Sequence, residues 1–198
     1  IYRGIGMSEL TEKFENLRHR LKVDGLTAHH GLSGEVPYFI LDYRPQDELY
    51  VRDEINQIVN GGPYGECQMN IKLFNLFDMM MDTLNEFGYT EIIYQFEKEQ
   101  GMDFVIEQIN NLMATNEENN RFVEYIKNRV NPDEDIIFIE GIGQIFPLVR
   151  THKILNTMTQ VIDYMPVVLF YPGKFDNIKL SMFGELNDDN YYRATQIN

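Results

Sequence analysis

Four short runs of aliphatic and aromatic residues recur along this chain, and stretches of helical period separate them. The runs are VPYFILDY at 36–43, CQMNIKLFNLF at 67–77, DIIFIEGIG at 135–143 and PVVLFY at 166–171. Strands separated by helices cannot pair through tight hairpins. They need crossover connections, and crossovers place helices against a sheet that runs mainly parallel. The alternation therefore predicts an α/β fold: a mainly parallel central sheet with helices on both faces.

The helical stretches carry their own signals. Leu10, Phe14, Leu17 and Leu21 recur at helical spacing, with Ser8 as the expected N-cap. After the first strand, Pro45 suits the first residue of a helix whose apolar stripe is Val51, Ile55, Ile58 and Val59, and Gly61-Gly62-Pro63 ends it. Met80, Leu84 and Phe87 are expected to share one face of a helix over 78–87, stopped by Gly88. Three further helical patterns fill residues 89–130 with no strand among them, which reads as an all-helical insert, a subdomain or lid at one side of the sheet. FPLVRTHKILNTMTQVI, at 146–162, reads as one helix. At the end, IKLSMF (178–183) alternates apolar and polar residues as an edge strand does. Only PGKFDN separates it from the fourth run, so the two form an antiparallel edge hairpin. The organisation expected is a single α/β domain over 7–198 with the helical insert 89–130 inside it. MSELTEKFENL reads like a natural start, and residues 1–6 read as an extension or remnant upstream of it.

The formal net charge is −14 and the sequence pI about 4.6. Phosphate backbones repel such a chain, so direct nucleic-acid binding is not expected, whereas the acidic balance fits either a basic protein partner or solubility alone. The single cysteine, Cys67, cannot make an internal disulfide, which fits a reducing cytoplasm. No run of roughly 18 apolar residues is present, so no membrane-spanning helix is expected.

Catalytic motifs fail one by one. EGIGQIF has two glycines of a dinucleotide fingerprint, but Phe146 stands where the third belongs. Gly173-Lys174 lacks the following Ser or Thr of a phosphate loop, and Val168 occupies the position of its first glycine. His19, His29, His30 and His152 show no metal-ligand spacing, and no nucleophile elbow occurs. No cofactor and no metal is expected. What remains is geometric, since crevices in open α/β sheets form beyond the carboxyl ends of parallel strands. Asp42, Tyr43, Glu140, Gly141, Gly143, Arg150, Tyr171 and Gly173 are the candidates to line one. Glu140 alternatively ends its strand solvated or paired with an arginine such as Arg150. In DDNYYRA, Asp188, Asp189, Tyr191, Tyr192 and Arg193 have two readings. They finish the fold, as a turn at 188–190 followed by 191–194 returning as a last strand or docking on the sheet, or they face a partner, because tyrosine and arginine bury area while keeping a polar end.

Taken together, PYFILDYRPQDEL, NIKLFNLFDMMMDTLNEFG, IIFIEGIGQIFPLVRTHKILNTM and PVVLFYPGKFDNIKLSMFGELNDDNYYRA resemble the BrxB family, the small component of the BREX bacteriophage-exclusion systems of bacteria. The resemblance runs in order from Met7 over nearly the whole chain. It implies membership of a system that blocks phage replication and marks host DNA by adenine methylation. The recognisable chemistry there belongs to a methyltransferase, a large ATPase and PglZ, an alkaline-phosphatase-superfamily protein. The resemblance brings no catalytic residues. It implies a non-catalytic adaptor associated with a PglZ-like partner and other BREX components. The rival reading from the residues is an enzyme, or a sensor of a small anionic or nucleotide ligand, at the strand-end crevice.

Overall fold

The computed structural model describes residues 2–26, 37–65, 68–115, 119–176, 180–182, 186–187 and 194–198. In chain order its elements are α1 (Tyr2–Asp24), β1 (Tyr38–Tyr43), α2 (Glu48–Gly61), β2 (Asn70–Asn75), α3 (Leu76–Glu86), α4 (Thr90–Gln100), α5 (Met102–Leu112) and α6 (Arg121–Lys127). Then follow β3 (Asp135–Glu140), α7 (Ile142–Ile145), α8 (Thr151–Val161), β4 (Val167–Phe175), β5 (Leu180–Met182), β6 (Leu186–Asn187) and β7 (Thr195–Gln196). The chain divides into two compact units, one comprising Ile1–Leu73, Val130–Ile139 and Asp163–Asn198, the other Phe74–Arg129 and Glu140–Ile162.

The first unit is built on the sheet. Its strand order is β2-β3-β4-β1-β7, with β5 paired to β4 and β6 to β5. β4 runs parallel to β1 and to β3, as the strand–helix alternation requires, and β7 also runs parallel to β1. The three central strands are apolar without alternation because both of their faces are buried. Successive residues still point to opposite sides. Phe39, Leu41 and Tyr43 of β1, Ile136 and Phe138 of β3, and Val168 and Phe170 of β4 therefore face one core together. The stripe Leu10, Phe14, Leu17 and Leu21 of α1 and Val51, Ile55 and Ile58 of α2 close that core. Phe170 sits at its centre, stacked on Phe14 at 6.1 Å and meeting Phe138 edge-on at 5.1 Å.

Several boundaries differ from the sequence reading, each for a local reason. α1 begins at Tyr2, so Ser8 lies within the helix and does not cap it. Pro45 starts a short 3-10 turn, Pro45–Asp47, and α2 follows it. The second run splits at Asn75, whose side chain caps the next helix, so Leu76 and Phe77 belong to α3 and not to β2. β4 continues through Pro172-Gly173-Lys174-Phe175, which had been read as the hairpin loop. Pro172 is the last residue in register with β1, and from Gly173 the strand pairs antiparallel with β5. A proline lacks an N–H and cannot continue a ladder in both directions, so it marks the point where the partner changes. The last described strand is Thr195–Gln196, and residues 191–193, expected to form a last strand, lie outside the described residues.

The second unit is helical. Phe122, Val123 and Ile126 of α6, Met79, Met80 and Leu84 of α3, and Ile154, Leu155 and Met158 of α8 are buried. Phe87, expected on the buried face of α3, is exposed, and the guanidinium of Arg121 lies 4.1 Å from its ring centroid. Of the helix expected over 146–162, only Thr151–Val161 is helical, as α8; Phe146–Arg150 instead connect it to α7, and Asn110 Nδ2 donates to the Leu148 carbonyl within that connection at 2.8 Å.

Candidate functional site

The carboxyl ends of β1 and β4 lie side by side, with Asp42 opposite Tyr171 and Tyr43 opposite Pro172. Asp42 is only 7% exposed, and the chain surrounds it with donors. Lys13 Nζ, itself 7% exposed, lies 2.6 Å from Asp42 Oδ1 and donates also to the Asp42 carbonyl at 3.0 Å. Gln196 Nε2 donates to Oδ1 at 3.0 Å, and the Phe175 amide donates to Oδ2 at 3.1 Å. One carboxylate thereby ties α1, β1, the far end of β4 and β7 together. Gln196 closes the ring by donating to the Phe175 carbonyl at 3.1 Å. A buried charge needs such pairing, because an unpaired carboxylate in an apolar interior is strongly penalised.

The neighbouring groups are also committed. The Tyr43 hydroxyl donates to Glu48 Oε2 at 2.5 Å, and Glu48 Oε1 accepts from Arg52 at 2.8 Å. Tyr171 is buried, and Gly173 is half-buried where β4 changes partner.

Glu140, Gly141, Gly143 and Arg150 belong to the second unit. Asn75 organises them. Its Oδ1 accepts from the amides of Phe77 and Asp78, capping α3, while its Nδ2 donates to Glu140 Oε1 at 3.2 Å and to Gln144 Oε1 at 2.8 Å. Asp78 in the first turn complements the positive end of the same helix. Gly141 takes φ +81° directly after Glu140, and a Cβ there would collide with the Asn75 side chain. Gly143 lies in α7, and Arg150 is exposed at the N-cap position of α8. Asn75 is one partner of Glu140, where the sequence reading offers Arg150.

The structure thus gathers Asp42, Tyr43, Tyr171 and Gly173 in one unit and the other four candidates in the second. Sequence reasoning missed Lys13, Phe175 and Gln196 around Asp42, and Asn75 and Gln144 around Glu140. Two of these had a signal. Lys13 interrupts the apolar face of α1 between Leu10 and Phe14, and Asn75 stands three residues before Asp78 at a helix start. Asp188, Asp189, Tyr191, Tyr192, Arg193, Cys67, His29 and His30 lie outside the described residues. Among the described residues no group of three or more His, Cys, Asp or Glu could hold a metal ion, and no helix is long and apolar enough to cross a membrane.

The sequence profile of a family described as "BREX protein BrxB" matches residues 72–197. Two curated proteins bearing that same description align over almost the whole chain. One, from Bacillus cereus (strain H3081.97), is 33% identical over 191 residues, covering 96% of this chain and 98% of the relative. The other, from Escherichia coli O9:H4 (strain HS), is 26% identical over 189 residues, covering 95% and 91%. No solved structure matches.

Proposed function

The chain belongs to the BrxB family of BREX components, and from that premise we propose that it is a non-catalytic adaptor of the anti-phage system, working in the bacterial cytoplasm and binding a PglZ-like protein. The observation that carries this reading is the state of Asp42. In an open α/β sheet the carboxyl ends of adjacent parallel strands are where ligands and catalytic groups collect. Here the acid at that position is enclosed, and both of its oxygens are occupied by Lys13, Gln196 and the Phe175 amide. A general base must be within reach of a substrate proton, and a carboxylate only 7% exposed inside this ring of donors is not placed for that. Asp42 is used as a cross-brace instead, which is what a scaffold needs. The acidic charge of the chain supports a partner with a basic surface and argues against direct contact with DNA.

The test is to purify this chain together with the PglZ-like protein of its own system and to measure the mass of the mixture by size-exclusion chromatography with light scattering. A stable co-eluting complex is expected. Separate elution at micromolar concentration and low salt would remove the pairwise adaptor reading.

A further inference from the structure

α4 has the pattern of a core helix and the burial of a surface one. Tyr89, Ile92, Ile93 and Phe96 repeat at the spacing that lines one face of a helix. In a helix that packs inward this stripe is buried, yet α4 contains no buried residue. Phe96 makes an edge contact with Phe104 of α5 at 5.1 Å, which accounts for one end of the stripe. Tyr89 and Ile92 stay open. Five of the eight exposed large apolar side chains among the described residues fall between Phe87 and Met102, so the exposure is local and not the ordinary scatter of a soluble surface.

The charge carried by α4 and α5 is mainly negative. α4 and α5 carry Glu91, Glu97, Glu99, Asp103 and Glu107 against a single cation, Lys98. We infer that the exposed face of the α4–α5 hairpin is a docking surface for a cationic amphipathic segment of a partner protein, one that presents aliphatic side chains to Ile92 and Tyr89 and lysines or arginines to the flanking carboxylates. Charge complementarity selects this occupant. A second copy of the same acidic hairpin would bring like charges together, which disfavours self-association. A nucleic acid would be repelled outright. The placement of Arg121 over the Phe87 ring shows the local chemistry accepting a guanidinium on an exposed aromatic of the same stretch.

The inference rests on the adaptor reading for its biological partner, so the experiment has two arms. In the first, an amphipathic helical peptide of leucine and lysine is titrated onto the full chain, with amide exchange mapping where it binds. Protection over α4 and α5 is expected. Binding should weaken at least about tenfold in Ile92→Glu, and thermal unfolding of the variant is measured beside it so that lost binding is not mistaken for a lost fold; where that variant is destabilised, Glu99→Lys is used in its place with the same expected loss. A leucine–glutamate peptide of the same pattern should not bind. Protection elsewhere, equal binding of a scrambled peptide with no apolar face, or a dimer of the chain that Ile92→Glu dissociates would each overturn the inference. In the second arm the PglZ-like protein is titrated onto the wild-type chain and onto Ile92→Glu. Loss of binding in the variant alone supports the surface. Equal binding by both leaves the adaptor reading standing and overturns the surface. If the wild type does not bind, the adaptor reading fails and the peptide arm decides the surface by itself.

Discussion

Lys13 and Asp42 form an ion pair of 2.6 Å between two side chains that are both almost wholly buried, and they join the first helix to the first strand across 29 positions of sequence. Removing one member leaves the other charge uncompensated inside the protein, a change that costs about 3–5 kcal/mol. Lys13→Met and Asp42→Ala should each lower stability by that order in urea unfolding. The paired change Lys13→Met with Asp42→Asn should be less damaging than the sum of Lys13→Met and Asp42→Asn alone, by about 1–3 kcal/mol. If the single changes prove neutral, the pair is not the brace that its geometry describes.

Gly141 and Asn75 are coupled in the same way within the second unit. An alanine at Gly141 adopts a left-handed conformation at a cost of about 1–2 kcal/mol, and its Cβ displaces the Asn75 amide that caps α3. Losing that cap alone costs about 1 kcal/mol. Gly141→Ala is therefore expected to destabilise more in the wild-type background than in Asn75→Ala, where no amide remains to displace. Equal effects in the two backgrounds would separate the glycine from the cap.

Alkaline pH should weaken the fold through its tyrosines. Burial raises the ionisation of Tyr38 far above the ordinary phenol value, with Asp163 and Tyr164 adding to it. Burial also raises Tyr64, against the opposing charge of Arg18. Tyr125 is raised first by burial and then by its hydrogen bond to Asp82. A phenol held neutral in the fold contributes stability that is complete below the unfolded value of about 10, and that contribution is lost as pH rises through the folded value. Tyrosinate absorbance should show a fraction of the twelve tyrosines titrating late, in step with unfolding. Tyr64→Phe, which removes a 2.7 Å donor to the Ile58 carbonyl, should cost about 1 kcal/mol near neutrality and flatten the alkaline decline. Simultaneous titration of every tyrosine near the ordinary value would refute this.

The architecture was legible because periodicity is set by burial. Residues that must fill both faces of a central strand are all apolar, and those that line one face of α1 recur at helical spacing, so both patterns appear in the sequence itself. Boundaries were less legible because they turn on single side chains. Asn75 ends a strand by capping a helix, and Pro172 lies inside a strand because that strand changes partner there. The surroundings of Asp42 were not legible as a set, although Lys13 shows as a break in the apolar face of α1. Lys13, Phe175 and Gln196 are separated from it by 29, 133 and 154 positions, and no local rule links them. α4 misled in the opposite sense. Its stripe predicted a helix correctly, but an apolar stripe says only that a face is to be covered, and not that this chain covers it.

The enclosure of Asp42 also changes which substitution separates an adaptor from an enzyme. Asp42→Ala would abolish either activity by damaging the fold, so loss of phage resistance in that variant decides nothing. Glu140 is the better probe. It is half-buried, and a glutamine there removes the charge while keeping an Oε1 to accept from Asn75 Nδ2, so urea unfolding of Glu140→Gln is measured beside its function. An adaptor has no use for the charge at this position. Cells carrying Glu140→Gln in an otherwise intact system should therefore resist phage as the wild type does, measured as efficiency of plating, and the variant should retain its complex with the PglZ-like protein. Resistance lost while unfolding and complex formation stay normal would mean that the carboxylate itself acts on a ligand. The strand-end crevice would then displace the adaptor as the working explanation.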